Sequence, residues 1–155
     1  MDSISTARLN LVYPGLAAKI NQLYTMLAPQ DFRVTQGLRT WSQQAALYAQ
    51  GRTAPGEIVT NAPAGYSWHE FGLAVDLVPM VGGEPDWDVE HPSWPAMIST
   101  GESLGLVSGS TWTNPDRPHF QMTGAFPVTP NNEVRQLFLS NGIEEVWRQA
   151  FENQK

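Results

Sequence analysis

The sequence predicts an α+β fold, in which a small, mostly antiparallel sheet is flanked by helices in a single domain spanning residues 1–155. Three observations point there. Apolar residues recur at helical spacing near both ends of the chain. Between Gly51 and Pro130 lie ten of the 13 glycines and ten of the 12 prolines, a composition suited to turns, loops and short strands. The length of 155 residues supports one hydrophobic core rather than two. Helices at the ends around a strand-and-loop middle argue against an alternating parallel sheet.

Each element follows from a local signal. Leu16, Ile20, Leu23, Tyr24 and Leu27 share one face of a helix that begins after Pro14-Gly15 and ends at Pro29. Phe32–Leu38 reads as a strand, after which Thr40 and Gln43 form a capping box opening a helix through Gln50, with Gly51 as its stop. Arg39 therefore stands at a strand-to-helix junction. The mostly apolar run Leu73–Val78 is a central strand, interrupted by Asp76. Ser93 is expected to cap a helix running to about Leu104, and shorter strands follow at Leu106–Ser108 and His119–Met122. Thr129-Pro130 opens the C-terminal helical region. Its apolar stripe breaks at Asn141-Gly142, giving two helices.

Composition excludes several classes of function. Fifteen acidic against nine basic residues give a net charge of -6, which disfavours any sequence-independent grip on nucleic acid. With no cysteine, a disulfide framework, a thiolate zinc knuckle and a cysteine nucleophile are all excluded. Any metal must be held by Asp, Glu or one of three histidines. No stretch approaches the ~20 apolar residues of a membrane span, so no membrane insertion is expected. The opening MDSISTARLNLVYPGL lacks the basic and apolar regions of a signal peptide, and the chain is expected to be made in the cytoplasm.

The chemistry concentrates in two segments. The first, Ser67-Trp68-His69-Glu70-Phe71-Gly72-Leu73-Ala74-Val75-Asp76, has the form S-x-H-x-x-G-x-A-x-D. A carboxylate inside an apolar strand is costly unless paired or bound to a cation. If the segment were extended throughout, seven steps of ~3.3 Å would put His69 and Asp76 ~23 Å apart. One ion with ~2 Å bonds could not reach both. The chain is therefore expected to turn near Gly72, the residue that tolerates a sharp reversal. The second segment is Asp116-Arg117-Pro118-His119-Phe120, where Pro118 holds Arg117 extended and sets His119 at the start of a strand. His69, Asp76 and His119 would leave a fourth zinc position open, as a catalytic site requires, with Asp116 left over as a base.

These motifs resemble the LAS-type zinc peptidases (peptidase M15), and the Gly37–Ala62 run GLRTWSQQAALYAQGRTAPGEIVTNA resembles their phage endolysin branch, the L-alanyl-D-glutamate endopeptidases. The similarity extends from about Leu16 to Trp147. It implies a LAS/D-Ala-D-Ala peptidase-like fold and zinc (Zn2+) held by His69, Asp76 and His119. It further implies that Asp116 is the general base, and that Arg39 steadies the carbonyl oxygen as negative charge develops. An aspartate base, rather than glutamate, accords with the endolysin branch; Glu70 is the next carboxylate in line. Apart from the resemblance, Arg39 also reads as a surface ion pair. Ser67 reads equally as a substrate-binding or ligand-orienting residue and as a turn former. Trp41, Trp68 and Trp112 fit either substrate contact or core, and His91 reads as a surface histidine.

The resemblance implies hydrolysis of the peptide stem of bacterial peptidoglycan between L-Ala and D-Glu, by a monomer that reaches the cell wall or periplasm after release from the cytoplasm. Two alternatives stand beside it: a D-Ala-D-Ala carboxypeptidase or dipeptidase, which needs a cation for the terminal carboxylate, and a non-catalytic wall-binding module, which has no need of Asp116.

Overall fold

Leu73–Val78 is apolar enough to be covered on both faces, and it forms the heart of the sheet. The computed structural model describes residues 1–152. It contains two compact units: Met1–Gly37 with Leu73–Met122, and Leu38–Gly72 with Thr123–Lys155.

The first unit carries the whole sheet. Its strands are β1 (Asp31–Gln36), β2 (Ala74–Val81), β3 (Glu84–Pro85), β4 (Val107–Gly109) and β5 (Asp116–Gln121). The order is β1-β2-β5-β4, with β3 paired to β2, and every pairing is antiparallel. Helices α1 (Ser3–Leu9), α2 (Pro14–Leu27) and α4 (Ser93–Ser103) belong to this unit. The predicted face of α2 is buried at Leu16, Ile20 and Leu23. Helix α4 lies so close to β5 that a Cβ on Gly101 would stand 2.3 Å from the Phe120 ring.

Helix α1 has no apolar periodicity to announce it. Asp2 caps it by accepting the Ser5 N–H at 2.7 Å, and Asp2 Oδ2 also pairs with Arg33 Nε at 2.9 Å. The helix in turn satisfies the open edge of β1. The Val34 N–H donates to Ser5 Oγ at 2.9 Å, and Arg8 donates to the Val34 carbonyl at 2.7 Å. Edge-strand groups that would otherwise invite another strand are thus used internally.

The second unit is helical: α3 (Trp41–Ala49), a 3₁₀ turn (Trp68–Phe71), α5 (Asn132–Asn141), and α6 (Ile143–Trp147), which continues as a π turn over Arg148–Glu152. The predicted capping box of Thr40 and Gln43 is present. Aromatic rings fill the unit. Trp41 stacks on Phe138 with centroids 5.4 Å apart, and Phe71 meets both edge-on. Trp68 is 2% exposed, packs on Phe71 and donates to the Val128 carbonyl. Trp41 and Trp68 are thus packing residues.

Several boundaries differ from expectation. Strand β1 stops at Gln36 rather than Leu38, and β5 begins at Asp116, three residues before His119. Ser93 does not cap α4. Its own N–H is satisfied by His91 Nδ1, and its hydroxyl donates to Gln30. The cap of the C-terminal helix is Asn131, whose side chain accepts from the Val134 N–H, rather than Thr129.

Candidate metal centre

The turn expected near Gly72 is made by a 3₁₀ turn that Gly72 closes in the left-handed region, at φ 67°. Ser67 Oγ accepts the His69 N–H at 3.3 Å, while Glu70 reaches back to accept from Ser67 N (3.2 Å) and Gly65 N (2.7 Å). His69 is therefore held on a turn capped from both directions and is only 3% exposed. Burial pushes the Glu70 carboxyl above its usual range, and its hydrogen bonds with backbone N–H groups oppose that shift. Glu70 is 1% exposed with both oxygens engaged, which disqualifies it as the fallback base.

Arg39 is half-buried at the start of the same unit. It donates to Gln44 Oε1 at 2.7 Å, while its backbone N–H donates to the His69 carbonyl at 3.0 Å. Gln44 is fully buried and donates its amide to the Ala62 carbonyl at 2.6 Å. Arg135 of α5 donates to the carbonyls of Gly65 and Pro130 and covers the Tyr66 ring at 4.0 Å, fixing the loop just before Ser67.

In the first unit, Asp76 of β2 and His119 of β5 are direct cross-strand partners. His119 is 5% exposed; its Nδ1 lies 3.6 Å from Asp76 Oδ1 and 3.7 Å from Asp116 Oδ2. On the other side of the ring, Nε2 lies 2.8 Å from Gln121 Oε1. Trp112 packs against the ring with centroids 5.0 Å apart. Burial works to lower the His119 pKa, yet hydrogen bonding and charge attraction from Asp76, with help from Gln121 and Asp116, leave it above the ordinary imidazole value. The neighbourhood of Nδ1 thus favours positive charge. Asp116 is the more open carboxylate, with its side chain 47% exposed against 18% for Asp76.

One ligand atom each from His69, Asp76 and His119 lies within 4.8 Å of the other two. Two ligands ~2.1 Å from an ion at a tetrahedral angle stand ~3.4 Å apart, close to the 3.6 Å between Asp76 Oδ1 and His119 Nδ1. Two imidazole nitrogens and one carboxylate oxygen also suit a borderline divalent ion. The donors present therefore fit a metal. His91 stands outside this group, with its Nδ1 accepting from the Ser93 N–H at 3.2 Å.

Sequence reasoning did not single out Gln44, Gln121 or Arg135. For Gln121 a signal existed: an amide two residues after His119 on a strand shares its face, and in a buried strand it needs a partner.

Comparison with known proteins agrees with this geometry. The sequence profile of D-alanyl-D-alanine carboxypeptidase, within the M15 peptidases, matches residues 60–122. The peptidoglycan L-alanyl-D-glutamate endopeptidase CwlK of Bacillus subtilis (strain 168) is 36% identical over 101 residues, 59% of this chain and 60% of that protein. The chain therefore spans less than two thirds of that relative. The L-alanyl-D-glutamate peptidase of Escherichia phage T5 is 32% identical over 113 residues, 70% of this chain and 77% of the phage protein. The crystal structure of Serratia marcescens L-Ala D-Glu endopeptidase ChiX superimposes with a TM-score of 0.58 at 26% identity, covering 79% of this chain and 89% of that one. With its matched fold, its histidine and aspartate donors and this extent of shared sequence, the chain belongs to the M15 family of metal-dependent peptidases.

Proposed function

We propose that this protein is a zinc peptidase that hydrolyses the L-Ala–D-Glu bond in the stem peptide of bacterial peptidoglycan. The observation that carries the reading is the convergence of His69, Asp76 and His119 donor atoms, with the exposed Asp116 carboxylate beside His119. The names of the Bacillus, phage T5 and Serratia relatives supply the scissile bond. Residues 1–155 act as one catalytic domain and as a monomer, on the wall rather than in a bilayer. Among the described residues no helix is long and apolar enough to cross a membrane.

His69, Asp76 and His119 would hold the ion. Zinc bound there would supply a Lewis acid able to polarise the scissile carbonyl and acidify a water molecule. Asp116 accepts the proton of the attacking water and delivers it to the leaving amine. Arg39, oriented by Gln44, donates to the carbonyl oxygen as it gains negative charge; a planar, permanently charged donor suits that task. The Ser67 oxygen accepts from His69 N–H, which leaves its hydroxyl proton to donate to substrate.

Mass spectrometry of digested cell walls tests the reading. Peptides beginning with D-Glu, with L-Ala left on the glycan, are expected. The matching carboxypeptidase profile favours a second reading, cleavage at D-Ala-D-Ala ends. Release of free D-Ala from otherwise intact stems would select it. A wall-binding module without catalysis is disfavoured by the presence of Asp116.

A further inference from the structure

We propose that Gln121 is a positioning residue for the metal centre, because its side-chain oxygen holds the proton of His119 on Nε2 and so presents the Nδ1 lone pair to the ion. The inference rests on the reading of His119 as a ligand.

An imidazole can bind a metal through either nitrogen, and the choice is set by the hydrogen bond made by the other. In His119 the two nitrogens meet different surroundings. Nδ1 faces the carboxylates of Asp76 and Asp116 at 3.6 and 3.7 Å, where a cation is favoured. Nε2 faces Gln121 Oε1 at 2.8 Å, a neutral acceptor well within hydrogen-bond range. A side-chain amide carries both donor and acceptor, so it could in principle serve either tautomer. With its oxygen toward the ring, it accepts the Nε2–H and excludes the tautomer that carries its proton on Nδ1.

The surroundings make this contact rigid. Gln121 is 2% exposed, and it pairs with Ala74 of β2 on one side and Val107 of β4 on the other. Its backbone is thus fixed in the interior of the sheet. His119 sits two residues earlier on the same strand, and Trp112 packs against its ring with an interplanar angle of 49°. A side-chain amide this deeply buried costs free energy unless its polar atoms are matched. Supporting the ring gives this one a use that packing alone does not require.

The experiment compares wild type with Gln121→Leu, which removes the acceptor at similar volume, and Gln121→Glu, which restores an oxygen acceptor. Zinc affinity is measured by chelator competition, and the His119 ring is read by ¹⁵N NMR in the metal-free and zinc-loaded proteins. Wild type is expected to show an Nε2–H in slow exchange with water. Gln121→Leu should lose that protection and bind zinc about 10- to 100-fold more weakly, the usual effect of removing such a partner. Gln121→Glu should recover both. Three results overturn the proposal: an Nδ1–H with bare Nε2 in the zinc-loaded wild type, undiminished zinc affinity in Gln121→Leu, or a folded Gln121→Glu no better than Gln121→Leu. The ring signal needs no variant, so poor folding of either substitution leaves the proposal exposed to refutation. Failure of wild type to bind zinc would fall on the functional reading, while the Nε2–H signal of the metal-free protein still decides whether Gln121 holds the ring.

Discussion

Substituting alanine for Gly72 strikes the turn that presents His69, and its cost can be worked from two local facts. The residue sits at φ 67°, in the left-handed region, where a side chain costs roughly 1–2 kcal/mol. A Cβ there would also lie 2.9 Å from Cζ2 of Trp147, and that indole is anchored by its N–H bond to the Phe71 carbonyl at 2.8 Å. Because the ring cannot retreat without breaking that bond, an overpacking cost of roughly 1–3 kcal/mol is added. The smaller entropy of the unfolded alanine chain returns about 0.4–1 kcal/mol. The expected net loss is about 1–4.5 kcal/mol. Gly82→Ala is the control. Gly82 has a similar φ of 62°, but nothing lies within 4 Å of its Cβ position, so it should lose only about 1 kcal/mol. Urea denaturation of the metal-free proteins, followed by circular dichroism, measures both. Zinc affinity should fall in Gly72→Ala and stay level in Gly82→Ala, since the Gly72 N–H closes the His69 turn by donating to the carbonyls of Trp68 and His69. Equal denaturation midpoints for the two variants would refute the claim that Trp147 locks this turn.

Asp116→Asn keeps the shape of the side chain but cannot take a proton; stem-peptide hydrolysis should fall about 10²- to 10⁴-fold with zinc content unchanged, as assayed by turnover and elemental analysis. His69→Ala and His119→Ala should lose both zinc and activity, whereas His91→Ala should retain both by the same measurements. The acid limb of stability should report on Asp2. Burial raises its pKa, but the bonds from Ser5 and Arg33 outweigh this and hold it at about 2, against an ordinary 3.8. Its contribution is therefore present above pH ~4 and lost as pH falls toward ~2. Asp2→Ala should lose about 1–2 kcal/mol at neutral pH and flatten that limb of a pH-dependent denaturation series. Arg117 is exposed, two residues before His119, and would be a ready partner for a terminal carboxylate. Arg117→Gln should leave cleavage of a C-terminally amidated stem peptide unchanged, and a large rise in KM on free D-Ala-D-Ala ends would instead favour the carboxypeptidase reading.

Much of the centre was legible because its residues violate the local pattern. Asp76 stands in an apolar strand, and Gly72 sits where the chain must reverse for His69 and Asp76 to serve one ion. The central place of β2 followed from the same apolar run. Less legible were elements stabilised by distant partners. Helix α1 is short and polar, and it depends on Asp2, on Arg33 and on the backbone of Val34. The first residues of β5, Asp116-Arg117-Pro118, resemble a loop, and their pairing with β4 includes a register shift between Ser108 and Gly109. Ser93 had the composition of a cap, yet His91 supplied the acceptor instead. The supporting amide of Gln44 was hidden for a similar reason, since nothing in its immediate sequence shows that Arg39 will face it, whereas Gln121 could have been read from its place two residues after His119 on one strand.

Metal analysis of protein purified without added metal, run alongside wall digestion on the same sample, decides whether hydrolysis depends on a bound ion. One zinc per chain is expected, with lytic activity that disappears when the metal is stripped and returns when zinc is restored. A sample that releases D-Glu-terminated peptides while holding no stoichiometric metal would contradict that dependence.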